Sequence, residues 1–386
     1  MSDEEDMAAA VHLSFGLAMH FADQRAGGVQ IVEPALLRLF GHRLGHAMGG
    51  KNDWHAIGHL VQFLDENRAL RLQIVHDIFV VDDFVADIDR RAIAFDRHLD
   101  ERNENLEKVP EWFFNERMKN DFKTEGFKYV PSTALSYLEK TRHAFIALDG
   151  IVKRYKLLVE DGKIDPELLK LTSKPIPYKD IPSFMDGKYA YTTDHEDIKT
   201  IMHCLFSDQS SIHYISEDLK GEDFTGLIAN HDIQYDNFHD HQKPTIDHLI
   251  SLGILEGGSS KIQFKNIGQI VLLRHLFSTE ALSYYHYDEK LQAIIDDMVT
   301  AGWLVRETSL LTRPEASLFN YYLNQSEFSN GLDLRNRYIH DSQADDDDEN
   351  AHYTSYIIAM ELLMSLVIKI NNDLLLRDIY KSKNGE

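Results

Sequence analysis

Apolar positions in this chain recur with helical spacing over long stretches. Ile74, Ile78, Val81, Val85, Ile88, Ala92, Phe95 and Leu99 alternate in steps of four and three. That spacing predicts one apolar stripe on a helix of about seven turns. Asp82, Asp83, Asp87, Asp89, Arg90 and Arg91 occupy its other faces, so the stripe reads as a seam within a bundle or between two copies. Near the C-terminus, Tyr356, Met360, Leu363, Val367, Ile370 and Leu374 follow the same rule, and Ile358, Leu362 and Leu366 line a second face. A helix apolar on two sides is central in a bundle or shared with a partner.

Breaks in the pattern set the expected domains. Residues 8–60 read as helices separated at Gly27-Gly28 and Gly49-Gly50. A helix is expected after Pro131, capped by Ser132 or Thr133. Pro175, Pro177 and Pro182 mark a linker over 172–187. In "KPTIDHLISLGILEGGSSKIQFKN" Pro244 opens a helix, Ile246, Leu249 and Ile250 form its buried face, and Gly253 ends it. Short strands follow at Ile254-Leu255 and Lys261–Phe264, around a glycine-serine turn. This order resembles the second half of a winged helix. A DNA reader of that type has a basic recognition helix, whereas this one carries Asp247 and His248, which favours an interaction or spacer role. Four further helices are expected, around Leu291–Val299, Leu318–Leu323, the 331–341 stretch and Tyr353–Leu376. The expected fold is therefore mainly α: an N-terminal helical domain over 1–171, a small winged-helix-like α+β module over 188–270, and a C-terminal four-helix bundle over 278–380.

Composition narrows the function. A hydrophobic share of 43% is ordinary for globular domains. The formal net charge of −23 excludes a general nucleic-acid binder, which needs clustered Lys and Arg. Any phosphate contact must be local or assembled from two subunits. A single cysteine, Cys204, excludes an intrachain disulfide and a Cys-based zinc site, and fits a reducing cytoplasm. The N-terminus "MSDEEDMAAAVHL" is acidic, unlike a signal peptide. The most apolar run, Ile357–Ile370, is broken by Glu361, Ser365 and Lys369, so no membrane span is expected. His42 with His46 and His55 with His59 have a spacing that can hold zinc, but no glutamate follows the first histidine of either pair. No metal or cofactor is expected.

The chemistry concentrates in "GLDLRNRYIHD", residues 331–341. On a helix Asn336 and His340 share a face one turn apart, and Arg335 can swing toward them. Asp333 or Asn330 is a candidate cap for this helix. Histidine can give or take a proton near neutral pH, and arginine presents a planar fork of donors to phosphate. These types suit metal-free RNA cleavage. The motif and its helical setting resemble the HEPN superfamily over about the last quarter of the chain. That resemblance implies a dimeric, metal-independent endoribonuclease of defence or toxin systems, with Arg335, Asn336 and His340 catalytic at a composite site. It adds Arg337 and Tyr338 as RNA contacts, and an antitoxin or sensor protein as a partner. Two features depart from the pattern. Asp341 stands where relatives carry a small residue, and the acidic run Asp345–Glu349 follows directly. The competing expectation is a non-catalytic regulator or scaffold that binds protein or DNA.

Overall fold

The computed structural model describes residues 105–171, 175–257, 261–340 and 348–384. The 74–99 stripe, the four N-terminal histidines, Asp341 and most of the acidic run lie outside the described residues. The chain is mainly helical and divides into two compact units. One combines 105–186 with 308–384, and the other is the continuous segment 187–307.

The first unit begins with α1 (Lys108–Trp112), a π turn (Phe113–Arg117) and α2 (Met118–Asn120). Then comes the long α3 (Tyr137–Asp161), followed by α4 (Pro166–Leu171). Ser136, not Ser132 or Thr133, caps α3: its side chain accepts from Glu139 N, and Gly162 ends the helix in the left-handed region. The chain stays non-helical from Pro131 to Ser136, and Ser132 N donates to Glu107 Oε2 at 2.7 Å.

The second unit contains β1 (Tyr189–Thr192), α5 (Glu196–Phe206), β2 (Tyr214–Ser216), β3 (Leu219–Lys220) and α6 (Phe224–Asn230). It continues with α7 (Lys243–Ser251), β4 (Leu255–Glu256), β5 (Gln263–Phe264) and α8 (Ile267–Thr279). β6 (Leu282–Ser283), α9 (Glu289–Thr300) and β7 (Leu304–Glu307) complete it. The chain then returns to the first unit with α10 (Arg313–Leu323), α11 (Leu334–Ile339) and α12 (Glu349–Asn384).

The helix and the two short strands expected over 244–264 are present, with Pro in the first turn of α7 and Gly253 at φ 72° just past its end; most of the expected turn, 258–260, lies outside the described residues. The same local structure then occurs again, shifted by 49 residues. Short 3-10 turns at Tyr235–Asn237 and Tyr284–His286 correspond. The caps Leu252 and Ala301 correspond, as do the left-handed Gly253 and Gly302. Buried positions match in register: Ile233 with Leu282, Ile246 with Ile295, Leu249 with Met298. Even a polar pair recurs: Tyr235 lies beside Asp247, whose carboxylate pushes its phenol pKa up, and Tyr284 Oη donates to Asp296 Oδ2 at 2.8 Å. In the first half β4 pairs antiparallel with β5, and Gln234 bridges Lys261 just before β5. In the second half the middle strand is β1, between β6 and β7 in the order β6-β1-β7. The first strand of the unit thus completes its last sheet.

This repeat places α9 in the second unit. Ile295 and Met298 pack with Leu272, Leu273 and Leu276 in the core there. The helix around Leu291–Val299, expected in a bundle over 278–380, therefore belongs elsewhere. The bundle takes α3 in its place and is interrupted in sequence by 187–307. The reason is that the insertion returns the chain to its starting place: Thr308 Oγ1 donates to Asp186 Oδ1 at 2.7 Å.

In the bundle α3 and α12 run parallel. Tyr137 stacks near Tyr353 and Tyr356 at one end, and Tyr155 Oη donates to Asp373 Oδ2 at 2.5 Å further along. Both apolar faces of α12 are buried, and Leu363, Leu366, Ile370 and Leu374 lose all solvent contact, each contributing about 1.5–3 kcal/mol. Asp348 caps this helix, accepting from Asn350 N and Ala351 N. Helix α12 is long and apolar enough to cross a membrane, but 72% of its most apolar window is buried in the fold, as in a central core helix. Its polar groups are matched. Lys369 Nζ pairs with Glu315 Oε1 at 2.6 Å, both nearly fully buried. Asp373 also accepts from Ser183 Oγ and Phe184 N.

Candidate functional site

Helix α11, with the 331–341 motif, has only six residues. Such a segment is too short to hold itself in helical form, so its neighbours must hold it. Gly331 lets the chain come close: a Cβ there would lie 2.9 Å from Tyr321 O and 3.0 Å from Asn324 O. Leu332 N then donates to Tyr321 O at 2.8 Å, tying the start of the motif to α10. Asp333 occupies the cap position in the left-handed region, φ 53°. Its carboxylate does not cap the backbone. It accepts instead from Asn336 Nδ2 at 2.7 Å.

Arg335 is held firmly. Its Nε and Nη2 donate to the Asp149 carboxylate on α3, at 2.9 and 2.6 Å to Oδ2. Its Nη1 donates to Asn336 Oδ1 at 3.0 Å. A guanidinium has five N–H groups, so this fork of bonds leaves two for a ligand. The hydrogen bonds that Asp149 accepts hold the Arg335 pKa above its ordinary value, against the opposing effect of burial. Behind the pair, burial pushes the Tyr178 phenol up, and the Asp149 charge adds to the effect. His340 ends the helix, exposed to solvent, with its N–H on Asn336 O at 2.9 Å. Arg337 is half-exposed on the same turn.

The expected RNA contact Tyr338 needs correction. Its side chain is only 5% exposed and sits in the bundle core beside Phe145. Its hydroxyl shares a 2.7 Å hydrogen bond with Nδ1 of the buried His352 on α12. An inward-facing ring at this position cannot stack on a base. Burial also pushes its phenol pKa up.

Asp149 and His352 were not among the expected site residues. A signal for Asp149 exists in sequence: it is the one carboxylate between Glu139 and Glu160, on a helix with Lys140, Arg142, Lys153, Arg154 and Lys156. Its partner lies 186 residues away, so nothing local reveals the pairing. The five cations of α3 exceed its four carboxylates by one. Two are paired along the helix, Arg142 with Glu139 and Lys156 with Glu160. Among the described residues no group of three or more His, Cys, Asp or Glu could hold a metal ion.

Comparison with known proteins adds no family: no family model, curated protein or solved structure matches the chain.

Proposed function

We propose that this chain is a metal-independent endoribonuclease of the HEPN type, working in the cytoplasm as a dimer within a defence or toxin system. The observation that carries the reading is the anchoring of Arg335 and Asn336 on α11, with the guanidinium pre-oriented and His340 exposed just past the helix end. In the proposed reaction a base removes the proton of an RNA 2′-OH. The oxygen attacks phosphorus, the 5′-oxygen leaves and takes a proton, and a 2′,3′-cyclic phosphate remains. His340 of one copy serves as base and His340 of a second copy as acid. The two remaining N–H groups of Arg335 face the charge that develops on the phosphoryl oxygens. Asn336 orients the guanidinium and the ribose, and Arg337 contacts the RNA backbone. An antitoxin or sensor protein would control the trigger.

A second reading has its own observation. Arg335 and Asp149 neutralise each other in a fork geometry, which is also how a structural pair is built. On that reading the bundle is a non-catalytic scaffold. The second unit would act as a double winged-helix-like module that binds protein, since the exposed faces of α7 and α9 carry Asp247, Asp296 and Asp297 and repel DNA phosphates. Incubating wild type, Arg335→Ala and His340→Ala with labelled RNA in EDTA separates the two. The nuclease reading expects cleavage by wild type alone.

A further inference from the structure

The residue that the motif sends inward has a task of its own. Helix α11 is tied at its start by Leu332 N on Tyr321 O and by the Arg335–Asp149 fork. Neither contact reaches its far end, where His340 sits one residue past the last helical position. A polar tie to the bundle nearer that end is Tyr338 Oη with His352 Nδ1, 2.7 Å apart and buried. The two rings meet edge-on at 5.6 Å. His352 is itself held in the first turn of α12, its N donating to Asp348 O at 3.1 Å, and its carbonyl lies 3.2 Å from Thr141 Oγ1 of α3, sharing that hydroxyl's one hydrogen. Thr141 has no solvent contact and also bonds Tyr137 O. The far end of α11 is thus connected through Tyr338 and His352 to the central α3–α12 pair.

We propose that Tyr338 and His352 are positioning residues: their hydrogen bond fixes the C-terminal end of α11, and so sets His340 in register with Arg335. The catalytic consequence rests on the nuclease reading, but the structural one does not. A six-residue helix tied at one end swings about that tie. Displacing a reacting group by about 1 Å costs up to roughly 100-fold in rate, without weakening the phosphate contacts that Arg335 makes.

The test uses Tyr338→Phe, which keeps the ring and removes the hydroxyl, and His352→Gln, which keeps a hydrogen-bonding side chain. Amide hydrogen exchange of the full chain is measured first. Both proteins keep wild-type protection in α3 and α12, showing an intact bundle. In Tyr338→Phe, residues 334–340 exchange faster, and His352→Gln restores part of the protection that His352→Ala loses. Cleavage kinetics follow: Tyr338→Phe lowers kcat about 10- to 100-fold and leaves KM unchanged. Unchanged exchange over 334–340 overturns the proposal whatever the activity. Faster exchange with wild-type kcat also overturns it, since the pair would then serve stability alone. If wild type cuts no RNA, the nuclease reading fails by itself, and the exchange measurement still decides whether the pair fixes α11.

Discussion

The two units differ in how they are built. In the second unit several devices occur twice, a left-handed glycine after a helix, a matched set of buried apolar side chains and a tyrosine beside a helical aspartate, next to unrepeated ones such as the Asp223–Arg274 pair. What recurs in both halves of a duplicated fold serves the fold. Asp247 and Asp296 on the exposed helices are therefore structural partners first, whatever else they meet. In the bundle the polar devices occur once among the described residues. Lys369–Glu315 joins α12 to α10, Asp373 gathers Tyr155, Ser183 and Phe184, and Asp149 and His352 hold α11. Of these, the Asp149 and His352 contacts meet on the short helix α11.

The largest effect that would break this contrast is in the bundle interior. Lys369→Met leaves Glu315 buried without its cation and should cost about 3–5 kcal/mol, whereas the double replacement Lys369→Met with Glu315→Met should be nearly neutral. Denaturant unfolding reads both, and equal losses in the two proteins would show that the pair contributes net stability. Next are the matched core positions of the repeat. Leu249→Ala and Met298→Ala should each cost about 2–5 kcal/mol. A large loss at one and none at the other would mean that the halves are not structurally equivalent. The smallest effect sharpens the contrast most. Tyr235→Phe and Tyr284→Phe should each lower stability slightly and leave RNA cleavage unchanged. Loss of cleavage in either would bring the second unit into the chemistry.

Much of the helical frame is legible along the chain. The two stripes of α12 are both buried, Pro244 and Gly253 bound α7, and residues 334–339 of the motif are helical. The domain division is not legible, because the bundle closes with α3, from before the insertion, and a sequence read in order joins α9 to its neighbours instead. The repeat is hidden for a physical reason. Burial is preserved where identity is not, as Ile254 and Trp303, or Leu249 and Met298, fill equivalent places. At the site, residue types could be read but directions could not. Six residues of helix carry Tyr338 inward and leave His340 exposed, and only the contacts with α3 and α12 decide which. The cap of α3 lies at Ser136, four residues past the expected Ser132, which is tied to the distant Glu107.

The central claim is that Arg335 and His340 cut RNA without a metal. Wild-type protein, Arg335→Ala and His340→Ala, each incubated with end-labelled RNA in EDTA, test it in one gel. The account predicts 2′,3′-cyclic phosphate products from wild type and none from either variant. Equal cleavage by all three, or loss of wild-type cleavage on adding EDTA, would contradict it.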